Sequence, residues 1–184
     1  MQSAKRDAQI SSQILSWVSE FVVELNLCPF AAAPLKRGQV NIVVAANDRV
    51  EPCLQQLVDE ADRLAAGDPQ ATTLFVLPSG FEDFADYLDL LDMANALFEN
   101  VGLEGVIQIA SFHPQYQFEG TAFDAQENWT NRAPFPILHL ITETSVSDAV
   151  DKHPDPERIP DANIRRLQSM DVKTLNQFIN AVVS

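Results

Sequence analysis

The sequence has 184 residues, of which 46% are hydrophobic, and it carries a formal net charge of −14. A chain of this length can bury a hydrophobic core without disulfides or a structural metal, so we expect a single domain over residues 1–184. Strong negative charge repels phosphate backbones and anionic lipids. We therefore expect neither nucleic acid nor a membrane surface as a partner.

The cysteines and the N-terminal segment indicate the compartment. Cys28 and Cys53 form no C-x-x-C pair, which favours a reducing environment. Residues 1–7 are polar, and polar residues interrupt the apolar ones between positions 10 and 25. We therefore expect neither a signal peptide nor a membrane span, and a cytoplasmic location.

The first predicted element is a helix over residues 7–26, because apolar residues recur there at helical spacing. Asn26 can adopt the left-handed conformation that ends a helix, and Pro29 prevents its continuation. Cys28 therefore lies just beyond a helix end.

Three short apolar runs, at 40–45, 72–77 and 105–112, predict strands that are buried on both faces. Amphipathic helical segments separate these runs, which gives the order β-α-β-α-β. The pattern predicts an α/β fold with a mostly parallel central sheet of about four strands flanked by helices. We expect the fourth strand, at 137–142, to be antiparallel, and the segments at 145–150, 162–170 and 172–183 to be helical or looped.

Several well-known catalytic motifs are absent from the sequence. It contains neither of the glycine-rich phosphate loops, nor H-E-x-x-H, nor G-x-S-x-G. The enzyme classes that these motifs identify are therefore excluded.

The segment at 112–139 is the richest in polar and aromatic side chains. Ligands of open α/β sheets bind outside the carboxyl ends of the strands, where His113 would lie. Arg132 returns to the same edge if the fourth strand is antiparallel to the third. The alternative is an ordered surface loop in which the aromatic side chains pack and His113 ends a strand.

Cys28, Cys53 and His139 have both structural and functional interpretations. Cys28 could be a nucleophile, but the negative end of the preceding helix raises a thiol pKa and favours packing. Packing is also favoured for Cys53, near the start of a helix. His139 shares a strand face with Ile137 and Ile141, which favours a hydrogen-bonded structural histidine over a catalytic one.

Metal binding would have to use His113, His139, Asp124 and Cys28, which carry suitable donor atoms. Their separations match no standard ligand spacing, so we expect no metal site. The sequence identifies neither a cofactor nor an oligomeric state.

Three motifs occur in a fixed order: NLCPFA at 26–31, HPQYQF at 113–118, and TNRAPFP at 130–136 followed by His139. Together they resemble the bacterial family called domain of unknown function 1415, and the resemblance covers essentially the whole chain. It implies a stand-alone bacterial cytoplasmic protein and no particular activity. The family motifs also fall in the segments whose residue types indicate a candidate site.

Two functional hypotheses follow. The first is an enzyme acting on a small anionic metabolite, in which His113 is the acid or base, Arg132 binds the anion and the amides orient it. Its candidate residues are, for catalysis, His113, Asp124 and Cys28, and, for ligand binding, Arg132, Asn128, Asn131, Tyr116 and His139.

The second hypothesis is a non-enzymatic module that binds a small molecule or a protein. Aromatic and arginine side chains are common anchors at interfaces. The recognition surface would then consist of the aromatic residues Phe112, Tyr116, Phe118, Phe123 and Trp129.

Overall fold

A computed structural model describes residues 2–180 of the chain. The strands are β1 (Val40–Val44), β2 (Thr72–Val76), β3 (Ile107–Phe112) and β4 (Ile137–Thr142). The α-helices are α1 (Gln2–Trp17), α2 (Ala32–Arg37), α3 (Val50–Ala65), α4 (Phe84–Val101), α5 (Glu143–Lys152), α6 (Ile159–Gln168) and α7 (Val172–Asn180). A π-helix spans Val18–Val23, and 3-10 helices span Gln126–Thr130 and Pro156–Arg158.

The four strands form one mixed sheet in the order β1-β2-β4-β3. β1 and β2 are parallel, whereas β4 runs antiparallel to both of its neighbours. The predicted α/β class, the β-α-β-α-β order and the antiparallel fourth strand are therefore confirmed. β1, β2 and β3 point in the same direction, but β4 lies between β2 and β3 and replaces a parallel pairing with two antiparallel ones.

The position of each strand in the sheet determines how deeply it is buried. β2 is almost wholly buried, as predicted. β1 and most of β3 are only half-buried, so the prediction that these strands are buried on both faces is wrong. The physical reason is that β1 and β3 are the two edges of the sheet, which the apolar composition of the runs does not reveal.

Helices cover both faces of the sheet and create two cores. α3 and α4 pack on one face, where Cys53 is buried among apolar side chains and its thiol donates to the carbonyl of Asn47 at 2.9 Å. The predicted packing role of Cys53 is thereby confirmed. α1, the π-helix, α6 and α7 pack on the other face, around Trp17 and Trp129.

The first helical segment changes its winding before it ends. α1 ends at Trp17, and the chain continues as the π-helix. Beyond the end of the π-helix, the N–H of Leu27 donates to the carbonyl of Val22 at 2.9 Å. Asn26 then adopts φ 51°, the left-handed conformation that the sequence predicts at this end. The wider winding was not predicted, and π-turns of this kind recur at functional sites.

The C-terminal helices also follow the predicted order. α7 begins at Val172, as expected, while residues 181–183 of the predicted segment lie outside the described residues. None of the helices in the described range 2–180 is long and apolar enough to cross a membrane.

Candidate functional site

His113 follows β3 directly and is completely buried. Its Nδ1 accepts a hydrogen bond from the backbone N–H of Gln115 at 3.0 Å, so the ring proton lies on Nε2, which donates to the carbonyl of Phe81 at 3.1 Å. Burial lowers the pKa of this imidazole and keeps it neutral. Both ring nitrogens are therefore engaged by the main chain.

Asn128 organises the loop between β3 and β4. Its side chain is completely buried, and its amide oxygen accepts from the N–H of Phe118 at 3.0 Å. The Thr121 hydroxyl is also 3.0 Å from this oxygen, but it is closer to the carbonyl of Phe118, at 2.7 Å, and has a single proton to donate. Its amide nitrogen donates to the carbonyls of Ala122 and Phe123 at 2.8 and 3.2 Å. All the hydrogen-bonding capacity of this carboxamide is directed at the loop itself.

Asn131 joins the loop to the end of β3. Its side-chain amide donates to the carbonyl of Ser111 at 3.0 Å, and its own carbonyl accepts from the N–H of His113 at 3.1 Å. These bonds extend the edge of the sheet into the loop, and they close the start of the loop against its end.

Arg132 is 4% exposed and lies between two aromatic rings. Its guanidinium carbon is 3.9 Å from the centre of the Trp129 ring and 4.6 Å from that of Phe123. Nε donates to the carbonyl of Tyr116 at 3.1 Å, and one terminal nitrogen donates to that of Phe123 at 2.6 Å. The guanidinium thus binds carbonyls and rings directly, and the only anion recorded near it within residues 2–180 is the Asp124 carboxylate, which attracts it through its charge without a close ion pair.

Tyr116 and Asp124 complete the predicted set in this loop. The Tyr116 ring packs against those of Phe84 and Phe118, and its hydroxyl is 3.4 Å from that of Ser111. Asp124 is exposed and makes no hydrogen bond or ion pair with the rest of residues 2–180. The structure brings these loop residues together as a scaffold, and their assignment to a site stays a prediction.

A cavity of about 260 Å³ lies elsewhere, over the sheet face that α1 covers. Its floor is formed by side chains of all four strands, and its walls by the π-helix, the segment at 28–34 and α5. The lining is largely aliphatic and aromatic. The lining residues whose side chains carry a polar atom are Trp17, Cys28, Gln70, Thr72, His139 and Ser145, and Nε1 of Trp17 has no hydrogen-bond partner within residues 2–180. Cys28 and His139, two residues of the predicted set, are therefore brought together.

His139 lines this cavity, and one of its ring nitrogens makes no hydrogen bond within residues 2–180. The Thr72 hydroxyl donates its only proton to the carbonyl of Leu140 at 2.8 Å, so it must accept from Nε2 of His139, 2.6 Å away. The ring proton therefore lies on Nε2. Nδ1 keeps its lone pair and has no partner among the described residues. Burial lowers the pKa of His139 to about 4, so the ring is neutral at physiological pH.

Cys28 is half-buried in the turn that follows the π-helix. Burial raises the pKa of its thiol, and the N–H groups of Phe30 and Ala31 reduce this increase without reversing it. The thiol is therefore protonated at neutral pH, which makes it a weak nucleophile.

Metal binding finds no support in the arrangement of side chains. Within residues 2–180, no three His, Cys, Asp or Glu side chains converge at a spacing that could hold a metal ion. The expectation of a metal-free protein stays a prediction.

The sequence reasoning missed the cavity itself. It placed the site at the carboxyl ends of the strands, whereas the cavity lies over the sheet face and reaches Val40 and Thr72, at the amino ends of β1 and β2. The family resemblance contained a signal for this cavity, because it includes both the NLCPFA motif and His139. Both of them line the cavity.

Arg132→Lys should lower the free energy of unfolding by roughly 1–3 kcal/mol, because one ammonium group cannot reach both carbonyls and a buried acceptor loses its partner. Thermal unfolding and limited proteolysis of the loop at 113–136 would measure the effect. Arg158→Lys, at a side chain that is 80% exposed, is the matched control and should change neither. Unchanged stability of the Arg132 variant would contradict the scaffold role.

His139→Leu should make the stability of the protein less dependent on pH. The unfolded chain binds a proton on this histidine near pH 6.5, and the folded chain only near pH 4, so between these values unfolding takes up a proton and stability falls as the pH falls. The variant should take up about one proton fewer on unfolding in that window. Urea unfolding at several pH values measures this number. His113 contributes in the same direction in both proteins, so only the difference between them is diagnostic.

A comparison with protein families gives one finding. Residues 9–177 match the family described as Protein of unknown function (DUF1415). No match was found among curated proteins or among solved structures.

Proposed function

We propose that this chain, which belongs to the DUF1415 family, binds a small and mainly apolar molecule that carries a hydrogen-bond donor. The bound molecule would occupy the cavity beneath the π-helix and donate to Nδ1 of His139. The observation that carries the proposal is this nitrogen, an unpartnered acceptor held in a fixed tautomer on an apolar wall.

The size of the cavity suits such a ligand. An apolar cavity of roughly 150 Å³ is enough for a benzene-sized molecule. At about 260 Å³, the present cavity has room for a molecule larger than one aromatic ring. Small-molecule sites typically combine apolar walls with a few placed polar groups, and the lining here has this composition.

The charge of the lining selects against ions in the interior. No Lys, Arg, Asp or Glu side chain lines this cavity, and His139 is neutral at physiological pH. An ion that entered it would lose its hydration without gaining a charged partner. A neutral hydroxyl or N–H group, in contrast, would satisfy the imidazole.

The same geometry favours binding over catalysis. A thiol and an imidazole line one cavity, but burial keeps the thiol protonated and the imidazole a weak base. In the loop at 113–136, the polar atoms of His113, Asn128 and Arg132 already bind main-chain groups. The small-molecule binding module therefore has more support than an enzyme acting on an anionic metabolite.

Octanol should bind more tightly than its methyl ether, by about fivefold, because only the alcohol can donate to Nδ1 of His139. Both affinities can be measured by calorimetry. In His139→Leu the two probes should bind equally, since the acceptor is gone while the wall stays apolar. Equal binding of the two probes to the unmodified protein would contradict the assigned role of His139.

Ala149→Phe should weaken the binding of both probes, because Ala149 lines the cavity and a larger side chain there occupies its volume. Ala96→Phe is the matched control, since Ala96 is an exposed residue of α4 outside this lining. If the probes bind Ala149→Phe as well as they bind Ala96→Phe, the ligand lies somewhere else.

Octanol should also slow the alkylation of Cys28 by iodoacetamide, because a bound molecule blocks access to a thiol on the cavity wall. The rate is measured by mass spectrometry in a Cys53→Ala background, which leaves a single thiol. Without octanol the reaction should already be slower than that of free cysteine, since burial raises the pKa of this thiol. Protection of Cys28 that does not saturate with octanol concentration would count against binding in this cavity.

A further inference from the structure

A second cavity, of about 350 Å³, adjoins the first one on its outer side. The two share Phe30, Pro34, Gln70, Ser145 and Ala149 as lining residues, so they are direct neighbours. We call the outer part the basic groove, because its own lining includes Arg37, Lys152 and His153 and only one carboxylate, that of Asp148.

The basic groove is unusual in a chain with a net charge of −14. Arg37 is the last residue of α2, and Lys152 is the last residue of α5, so the ends of two helices place both cations at one opening. The nearby carboxylates leave these cations accessible. Asp148 is 3.7 Å from the Lys152 ammonium in an exposed pair, and Asp68 interacts with Arg37 only through its charge.

His153 adds a third donor to the groove. Its Nδ1 accepts from the N–H of Asp155 at 3.1 Å, so the ring proton lies on Nε2. The edge of this ring meets the Phe30 ring, with 5.8 Å between the centres, and Phe30 also lines the inner cavity. The aromatic contact therefore lies at the boundary between the basic groove and the apolar interior.

We infer that the ligand of this cavity is amphipathic and carries a carboxylate at the end opposite its hydrogen-bond donor. This inference rests on the proposed function and extends it. The apolar body would fill the inner cavity, with the donor at Nδ1 of His139, while the carboxylate would lie in the basic groove and accept from Arg37, Lys152 and His153.

Charge and solvation favour this orientation. The carboxylate stays in contact with water and with cations, so it avoids the penalty of burial in the inner cavity, where no cation is present. The negative field of the rest of the chain repels a highly charged head group more strongly than a singly charged one. A monocarboxylate therefore fits this opening better than a polyanion.

The test compares omega-hydroxyoctanoate with its methyl ester, which keeps the chain and the hydroxyl but loses the charge. We expect the acid to bind about fivefold more tightly, because two exposed charge pairs contribute roughly this much to an affinity. This advantage should shrink as sodium chloride is added, because exposed charges are screened. The hexanoate and decanoate homologues establish which chain length spans both contacts.

Arg37→Gln should remove most of the advantage of the acid and leave the affinity for the ester unchanged. Lys173→Gln is the control, because it changes the net charge equally at an exposed residue of α7, outside the basic groove. If the acid and the ester bind the unmodified protein equally while octanol still binds, the carboxylate inference is wrong and the proposed function stands. If octanol, the acid and the ester all fail to bind, the proposed function itself fails.

Discussion

The single hydroxyl proton of Thr72 determines the polarity of the inner cavity. Because the Leu140 carbonyl takes that proton, the Thr72 oxygen can only accept from His139, and the imidazole is fixed as the tautomer with its proton on Nε2. A histidine that was free to exchange tautomers would present a donor or an acceptor at different times. Here one short chain of hydrogen bonds gives an otherwise apolar wall an acceptor of fixed character.

This chain of bonds exists because β4 lies between β2 and β3. The insertion pairs Thr72 with Ile141 and Leu74 with His139, which places the hydroxyl and the imidazole side by side on one face. It also places the end of β3 opposite the start of β4, where Phe112 pairs with Ile137. Tyr87 joins these two strand ends, since its hydroxyl donates to the carbonyl of Ile137 at 2.7 Å and accepts from the N–H of Phe112 at 3.1 Å.

Local patterns in the sequence were sufficient to predict the four strands, the longer helices and their order. The apolar runs predicted the strands, and the stereochemistry of Asn26 predicted the end of the first helical segment. The insertion of β4 and the burial of the edge strands could not be predicted, because strand order depends on contacts between distant segments. The cavity was missed for the same reason: Cys28 and His139 meet only after α1, the π-helix and α5 have packed on the sheet.

The composition of the loop at 113–136 is equally consistent with a binding site and with a scaffold, and only the hydrogen bonds separate the two. A ligand that bound Asn128 or Arg132 would have to displace the carbonyls of Ala122 and Phe123, to which these side chains already donate, and each lost hydrogen bond would cost free energy. No such loss accompanies a donor that approaches Nδ1 of His139, since that nitrogen has no partner to give up among the described residues. The number of polar groups in a segment is therefore a poorer guide to a site than a cavity-lining polar atom that the fold leaves without a partner.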